Sequence, residues 1–276
     1  MKKSAADILE DLKGQVDFLT EAGAGFVLRS EGNGDRGEPS RKVPPAPGHT
    51  ISRGVAPAPG RATSHEFKPS ASAAPSLPSL AGLPAQTAAE RKALEEIDRQ
   101  VLVCKLCPLC KLRTKAVPGE GNRSAELMFI GEAPGRDEDA QGRPFVGRAG
   151  QLLRKIIAAM KFREDQVYIT NMVKCRPPDN RVPHHEEEET CSPYLVRQIE
   201  LIRPKVIVLL GKTPTDWFLP SPQGMTSRRG HFGDYRAIPV MPTFHPSYLI
   251  RNEGNREIKR MVWDDMQKVM ALLGGK

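Results

Sequence analysis

The chain has 276 residues, 27% of them charged and 5% aromatic, with 41 Lys/Arg against 33 Asp/Glu and a net charge of +8. That length suits one sizeable domain with a tail, or two small domains. No run approaches the roughly 18 uninterrupted apolar residues of a membrane span, and the five cysteines do not resemble a disulfide framework.

The first residues, MKKSAADILEDLKGQVDFL, hold two lysines but no apolar signal-peptide core, because Asp7, Glu10 and Asp11 interrupt them. This points to a cytoplasmic protein. Ile8, Leu9, Leu12, Val16 and Leu19 recur with helical period, so residues 1–25 are expected to form a short helix, frayed or docked on a repair or replication partner. Residues 31–84 hold 10 prolines among many Gly, Ala and Ser. Such a stretch buries too little apolar surface to offset its ordering entropy. The whole of 26–86 is expected to be a disordered linker. The basic excess lies beyond residue 89. A domain of that charge attracts polyanions such as nucleic acid.

The folded domain, 87–276, is expected to open with a helix over 89–104. Apolar, β-rich runs follow at 127–130, 167–169 and 206–210, with a weaker one at 238–244. Helical patterns occupy 150–160, 186–202, 213–218 and 257–273. Strands alternating with helices predict an α/β fold, a parallel sheet covered on both faces. In such sheets ligands bind beyond the carboxyl ends of the strands. Those ends read GEAPG, TNMVKCRPP, LGKT and FHPSY.

Cys104-x-x-Cys107 puts two soft ligands on one turn; 67 residues separate it from Cys175, and 15 more precede Cys191. Four thiolates suit zinc or an iron–sulfur cluster, and spacing does not separate the two. Gly131 and Gly135 allow a sharp strand-to-loop turn and close backbone approach to a ligand. Glu132 is either a cleft carboxylate or a loop anchor. Asp137, Glu138 and Asp139 read as a solvated charge run. Phe145 is a core residue or a stacking platform for a base. Asn171 offers a donor and an acceptor to a base edge, or else forms a turn. Gly211-Lys212-Thr213 lacks the upstream glycine of a phosphate loop and reads as a helix start. Glu186–Glu189 read as the acidic first turn of another helix. His245, with Ser247 and Arg251 after it, closes the fourth strand in a polar loop.

Together CKLC, GEGN, GEAPGRDEDAQGRPFVGRAGQLL, YITNMVKCRPPDNRVP, Cys191, IVLLG, RRG and HPSYLIRN resemble the family-four uracil-DNA glycosylases, the iron–sulfur branch of the uracil glycosylase superfamily. The resemblance covers residues 104–273. It implies a three-layer α/β/α sandwich around a short parallel sheet of about four strands. It also implies a 4Fe–4S cluster on Cys104, Cys107, Cys175 and Cys191, with zinc disfavoured and Cys110 able to substitute. By the same resemblance Phe145 stacks under a flipped uracil, Asn171 reads its edge, His245 donates to O2 and Glu132 positions water. Gly131, Gly135 and Ser247 complete the substrate site. Arg148, Arg176, Arg228, Arg229 and Arg251 are expected to meet phosphates of single- and double-stranded uracil-containing DNA, and the protein to act as a monomer. A catalytically silent DNA-binding module and an electron-transfer protein are the other classes to weigh.

Overall fold

A computed structural model describes residues 86–274. The expected N-terminal helix and nearly all of the expected linker lie outside them. Among the described residues, no helix is long and apolar enough to cross a membrane.

The first helix, α1 (Ala88–Val103), starts on a capping box: the Thr87 side chain accepts from Glu90 N, and Thr87 N donates to the Glu90 carboxylate. Cys107, the second cysteine of the pair, caps a 3-10 turn (Pro108–Lys111) that buries Leu109. Four strands then run parallel: β2 (Leu127–Gly131), β3 (Val167–Asn171), β4 (Val206–Leu210) and β6 (Ile238–Thr243). Two short antiparallel strands, β1 (Glu120–Gly121) beside β3 and β5 (Gly233–Tyr235) beside β6, complete the order β1-β3-β2-β4-β6-β5. The expected parallel sheet is therefore present, and both its edges are extended. Strands of two and three residues carry no readable periodicity, so pattern alone did not predict them.

The strands alternate, and the alternation builds the layers. Leu127, Phe129, Val167, Ile169, Val206 and Val208 pack on one face beneath α3 (Arg148–Ala159), α7 (Pro246–Arg251) and α8 (Arg256–Leu272). Met128, Ile130, Tyr168, Ile207 and Leu209 turn to the other face, under α1, α4 (His185–Ile202) and α5 (Lys212–Phe218). Every residue of β2, β3 and β4 is buried, as expected for strands covered on both sides. This is the three-layer sandwich implied by the resemblance.

Helix α4 continues past Pro193. Proline removes the N–H that would reach the Glu189 carbonyl. The Ser192 hydroxyl donates to that carbonyl instead, at 3.0 Å. Because the chain leaves β2 first to one side (β3) and then to the other (β4), a topological switch point opens at the carboxyl end of β2.

Lys174, just past β3, is buried. Its Nζ donates to Thr170 Oγ1 (2.5 Å), Asn171 O (2.9 Å) and Gln198 Oε1 (2.8 Å), and burial lowers its pKa to about 8. The ammonium thus ties the last turn of β3 to α4. Lys174→Met keeps the stem but leaves those acceptors without their donor, and is expected to cost about 3 kcal/mol in urea unfolding. An unchanged midpoint would show that the tie contributes nothing.

Candidate active site

A cleft of about 760 Å³ lies at this switch point, lined among others by Glu132, Phe145, Asn171, His245, Ser247 and Arg251. Its walls are the loops that follow β2, β3, β4 and β6.

Parallel pairing of β2 with β3 places Gly131 opposite Asn171. A Cβ on Gly131 would lie 2.4 Å from Asn171 Oδ1 and 2.6 Å from Phe145 Cζ. Only the missing side chain lets amide and ring meet there. Asn171 is buried, and its Oδ1 accepts no hydrogen bond within the protein. Leaving such an acceptor empty costs about 1–3 kcal/mol, so the atom marks a place for a ligand donor.

Phe145 is 5% exposed and belongs to the apolar cluster, yet its ring borders the cleft. Its backbone is left-handed (φ +51°), a conformation that costs a non-glycine residue about 1–2 kcal/mol. Glu138 holds it there, its Oε1 accepting from Val146 N and Gly147 N at 2.8 Å each and its Oε2 from Gly135 N at 3.1 Å. Gly150 closes the arrangement from α3, since a Cβ there would lie 1.8 Å from the Phe145 carbonyl oxygen. Asp139 is buried too, and its Oδ1 accepts from Thr114 N (2.8 Å) and Lys115 N (3.3 Å). Expectation and structure differ here: of the acidic run in helix α2 (Arg136–Gln141), Asp137 alone is exposed. Glu138 and Asp139 are anchors for loops.

His245 caps α7, and its Nδ1 accepts from Ser247 N (3.1 Å) and pairs with Ser247 Oγ (2.7 Å). A backbone N–H can only donate, so in the neutral ring the proton sits on Nε2. Burial, with a smaller contribution from Arg251, lowers the imidazole pKa to about 4. The cleft therefore contains a neutral histidine with an N–H to offer. Its ring centroid is 5.8 Å from that of Phe145. Ser247 orients this histidine and also lines the cleft. Glu132 accepts a short hydrogen bond from the Thr213 hydroxyl. Gly211-Lys212-Thr213 starts α5, as expected. That this helix start also holds Glu132 was not readable from the motif.

The arginines divide. Arg251 lines the cleft and is exposed; Arg148 is exposed at the start of α3; Arg176 donates to Asn180 Oδ1 at 2.8 Å. Arg228 and Arg229 are placed otherwise than expected for phosphate contacts. Arg228 is buried, paired with Asp216 and donating to Thr215 O at 2.7 Å. Arg229 pairs with the buried Asp265 and donates to Met261 O at 2.6 Å. Both charges are spent inside the fold.

Three of the cysteines share a small apolar cluster of their own. Cys107, Cys175 and Cys191 pack with Leu109 and Val173. Arg113 donates to Cys175 Sγ (2.8 Å) and to the Cys104 carbonyl (2.8 Å), and Lys174 N donates to Cys191 Sγ (3.3 Å). Burial pushes the Cys107, Cys175 and Cys191 thiols up, Cys191 to about 12. No three His, Cys, Asp or Glu among the described residues stand close enough to hold a single metal ion.

The histidine geometry is testable. Its pKa lies below the ordinary value near 6.5, so the unfolded ring binds a proton between about 6.5 and 4 while the folded ring does not. Stability from this site is complete above that window and falls as pH drops through it. Nitrogen NMR is expected to show His245 protonated on Nε2 and untitrated from pH 5 to 8; a midpoint near 6.5 would contradict the burial argument.

The sequence profile described as Uracil DNA glycosylase superfamily matches residues 118–267. A type-4 uracil-DNA glycosylase of Archaeoglobus fulgidus is 55% identical over 195 residues, 67% of this chain and 96% of that protein. Its counterpart in Thermotoga maritima is 45% identical over 182 residues, 65% of this chain and 94% of the relative. A type-5 uracil-DNA glycosylase of Pyrobaculum aerophilum is 31% identical over 164 residues, 53% and 72%. The chain belongs to the uracil-DNA glycosylase superfamily, beside its type-4 members.

Proposed function

We infer that the chain is a uracil-DNA glycosylase, which takes uracil out of DNA and hydrolyses its N-glycosidic bond, leaving an abasic site for base excision repair. Membership of the type-4 family supports this reading. The observation that carries the site assignment is the buried, unpartnered Asn171 Oδ1 beside the Phe145 ring.

The target base must leave the stack, because neither water nor side chains surround it within a duplex. Uracil then lies against Phe145, and Asn171 Oδ1 accepts its N3–H. As the bond to the sugar breaks, negative charge collects on the departing base and positive charge on the sugar. His245, neutral and protonated on Nε2, donates to O2 where that charge grows. Being neutral already, it forms no ion pair with the base in the ground state. Glu132, held by Thr213, orients water and favours the cationic sugar. Arg251, Arg148 and Arg176 offer charge to the phosphates.

The four cysteines Cys104, Cys107, Cys175 and Cys191 fit a 4Fe–4S cluster. Their thiols come from three chain segments, two of them buried beside Arg113 and Lys174. Such a cluster supplies a cross-link between the Cys104 turn, the segment after Asn171 and helix α4. The residues of the cleft carry the chemistry.

His245→Ala should lower single-turnover release of free uracil by about 100- to 1000-fold with the fold intact; undiminished release would remove His245 from the mechanism. Cys191→Ser should lose iron and acid-labile sulfide together, along with the broad visible absorption of the oxidised protein. Equimolar zinc in the unaltered protein would overturn the cluster.

A further inference from the structure

Among the described residues, eight large apolar or aromatic side chains are exposed, and four of them fall within eleven positions around the first cysteine pair. They are Leu102 (53%), Val103 (73%), Leu106 (68%) and Leu112 (65%). A single exposed leucine is ordinary, but a contiguous patch with a polar rim marks a contact surface. Helix α1 already buries Leu94, Ile97 and Val101 in the core, and Leu102 and Val103 turn away from that stripe into solvent. Arg113 gathers the pieces, donating to the Leu102 carbonyl (3.2 Å) and to the Cys104 carbonyl (2.8 Å), so the residue after Leu112 is tied to the end of α1. Lys105, Lys111 and Lys115 are exposed among these apolar residues. None of the four apolar residues lines the cleft.

The sequence before the described residues holds a segment that matches this surface. At about 100° per residue, Ile8, Leu9, Leu12, Val16 and Leu19 fall on one narrow stripe, and Asp7 and Asp11 border it. Residues 1–25 carry five acids against three lysines, opposite in sign to the lysines of the patch. The 60 residues between, 26–85, are long enough to join the two. A coil of that length spans about 40 Å between its ends, whereas the 16 residues of α1 carry the chain only about 24 Å from its start to the patch. Tethering on that scale presents the segment at about millimolar concentration, which favours it over a free partner. We propose that residues 5–20 dock on this patch within the same chain, the Ile8–Leu19 stripe against Val103, Leu106 and Leu112 and the acids beside Lys105, Lys111 and Lys115. The contact is independent of what the cleft does, and it screens the partly exposed turn of Cys104 and Cys107 from solvent.

The test compares the full-length protein as purified with the double variant Leu9→Asp/Leu12→Asp, whose changes lie outside the folded domain. Hydrogen–deuterium exchange is followed by mass spectrometry over residues 102–113. Millimolar effective concentration with a dissociation constant near 0.1 mM makes exchange there about tenfold slower in the unaltered protein. Exchange in β2, β3 and β4 should be the same in both, and the difference should persist on dilution. Equal exchange over 102–113 in the two proteins overturns the docking, whether the patch is bare or covered by something else. A difference that vanishes on dilution, with a dimer in light scattering, gives the patch to a second copy and overturns the intramolecular contact.

Discussion

Everything at the cleft depends on the parallel pairing of β2 with β3, which ends with Gly131 opposite Asn171. At that point the sheet has no room for a side chain. A Cβ on Gly131 would collide with the Asn171 amide and the Phe145 ring together. Burial of β2 and β3 on both faces fixes their register, since a one-residue slip would exchange the two apolar layers. The core therefore sets the distance between the Phe145 ring and the Asn171 amide. Glu138 and Gly150 then hold Phe145 in a backbone conformation it would otherwise leave.

Around that pair the polar groups have separate tasks. His245 is kept neutral by burial, and its proton is placed on Nε2 by the Ser247 N–H that donates to Nδ1. Glu132 is steered by Thr213. Glu138, Asp139 and Asp265, though acidic, face inward and hold backbone or Arg229. Lys174 links β3 to α4, and its own amide meets Cys191. Cys191 and the end of β3 are thus joined through one buried lysine.

Much of this was legible in the residue order. The alternating runs of β2, β3 and β4 imply a doubly covered parallel sheet, and the strand ends locate the chemistry at its carboxyl rim. Glu132, Phe145, Asn171 and His245 do converge there. Other features were not legible, for physical reasons. β1 and β5 are too short to show a period. A carboxylate that accepts from backbone N–H groups has the same letter as one in solvent, so the roles of Glu138 and Asp139 needed coordinates. Arg228 and Arg229 looked like phosphate ligands because their partners, Asp216 and Asp265, are 12 and 36 residues away. Thr213 was visible only as a helix start, since its contact with Glu132 spans 81 residues.

The central claim is that the cleft is shaped for uracil by an empty acceptor, a ring and a neutral histidine. A crystal structure of the protein soaked with free uracil tests it most directly. The account predicts the pyrimidine against Phe145, its N3–H on Asn171 Oδ1 and its O2 facing His245 Nε2. Uracil bound elsewhere, or lying in the cleft with Asn171 Oδ1 still without a partner, would contradict it.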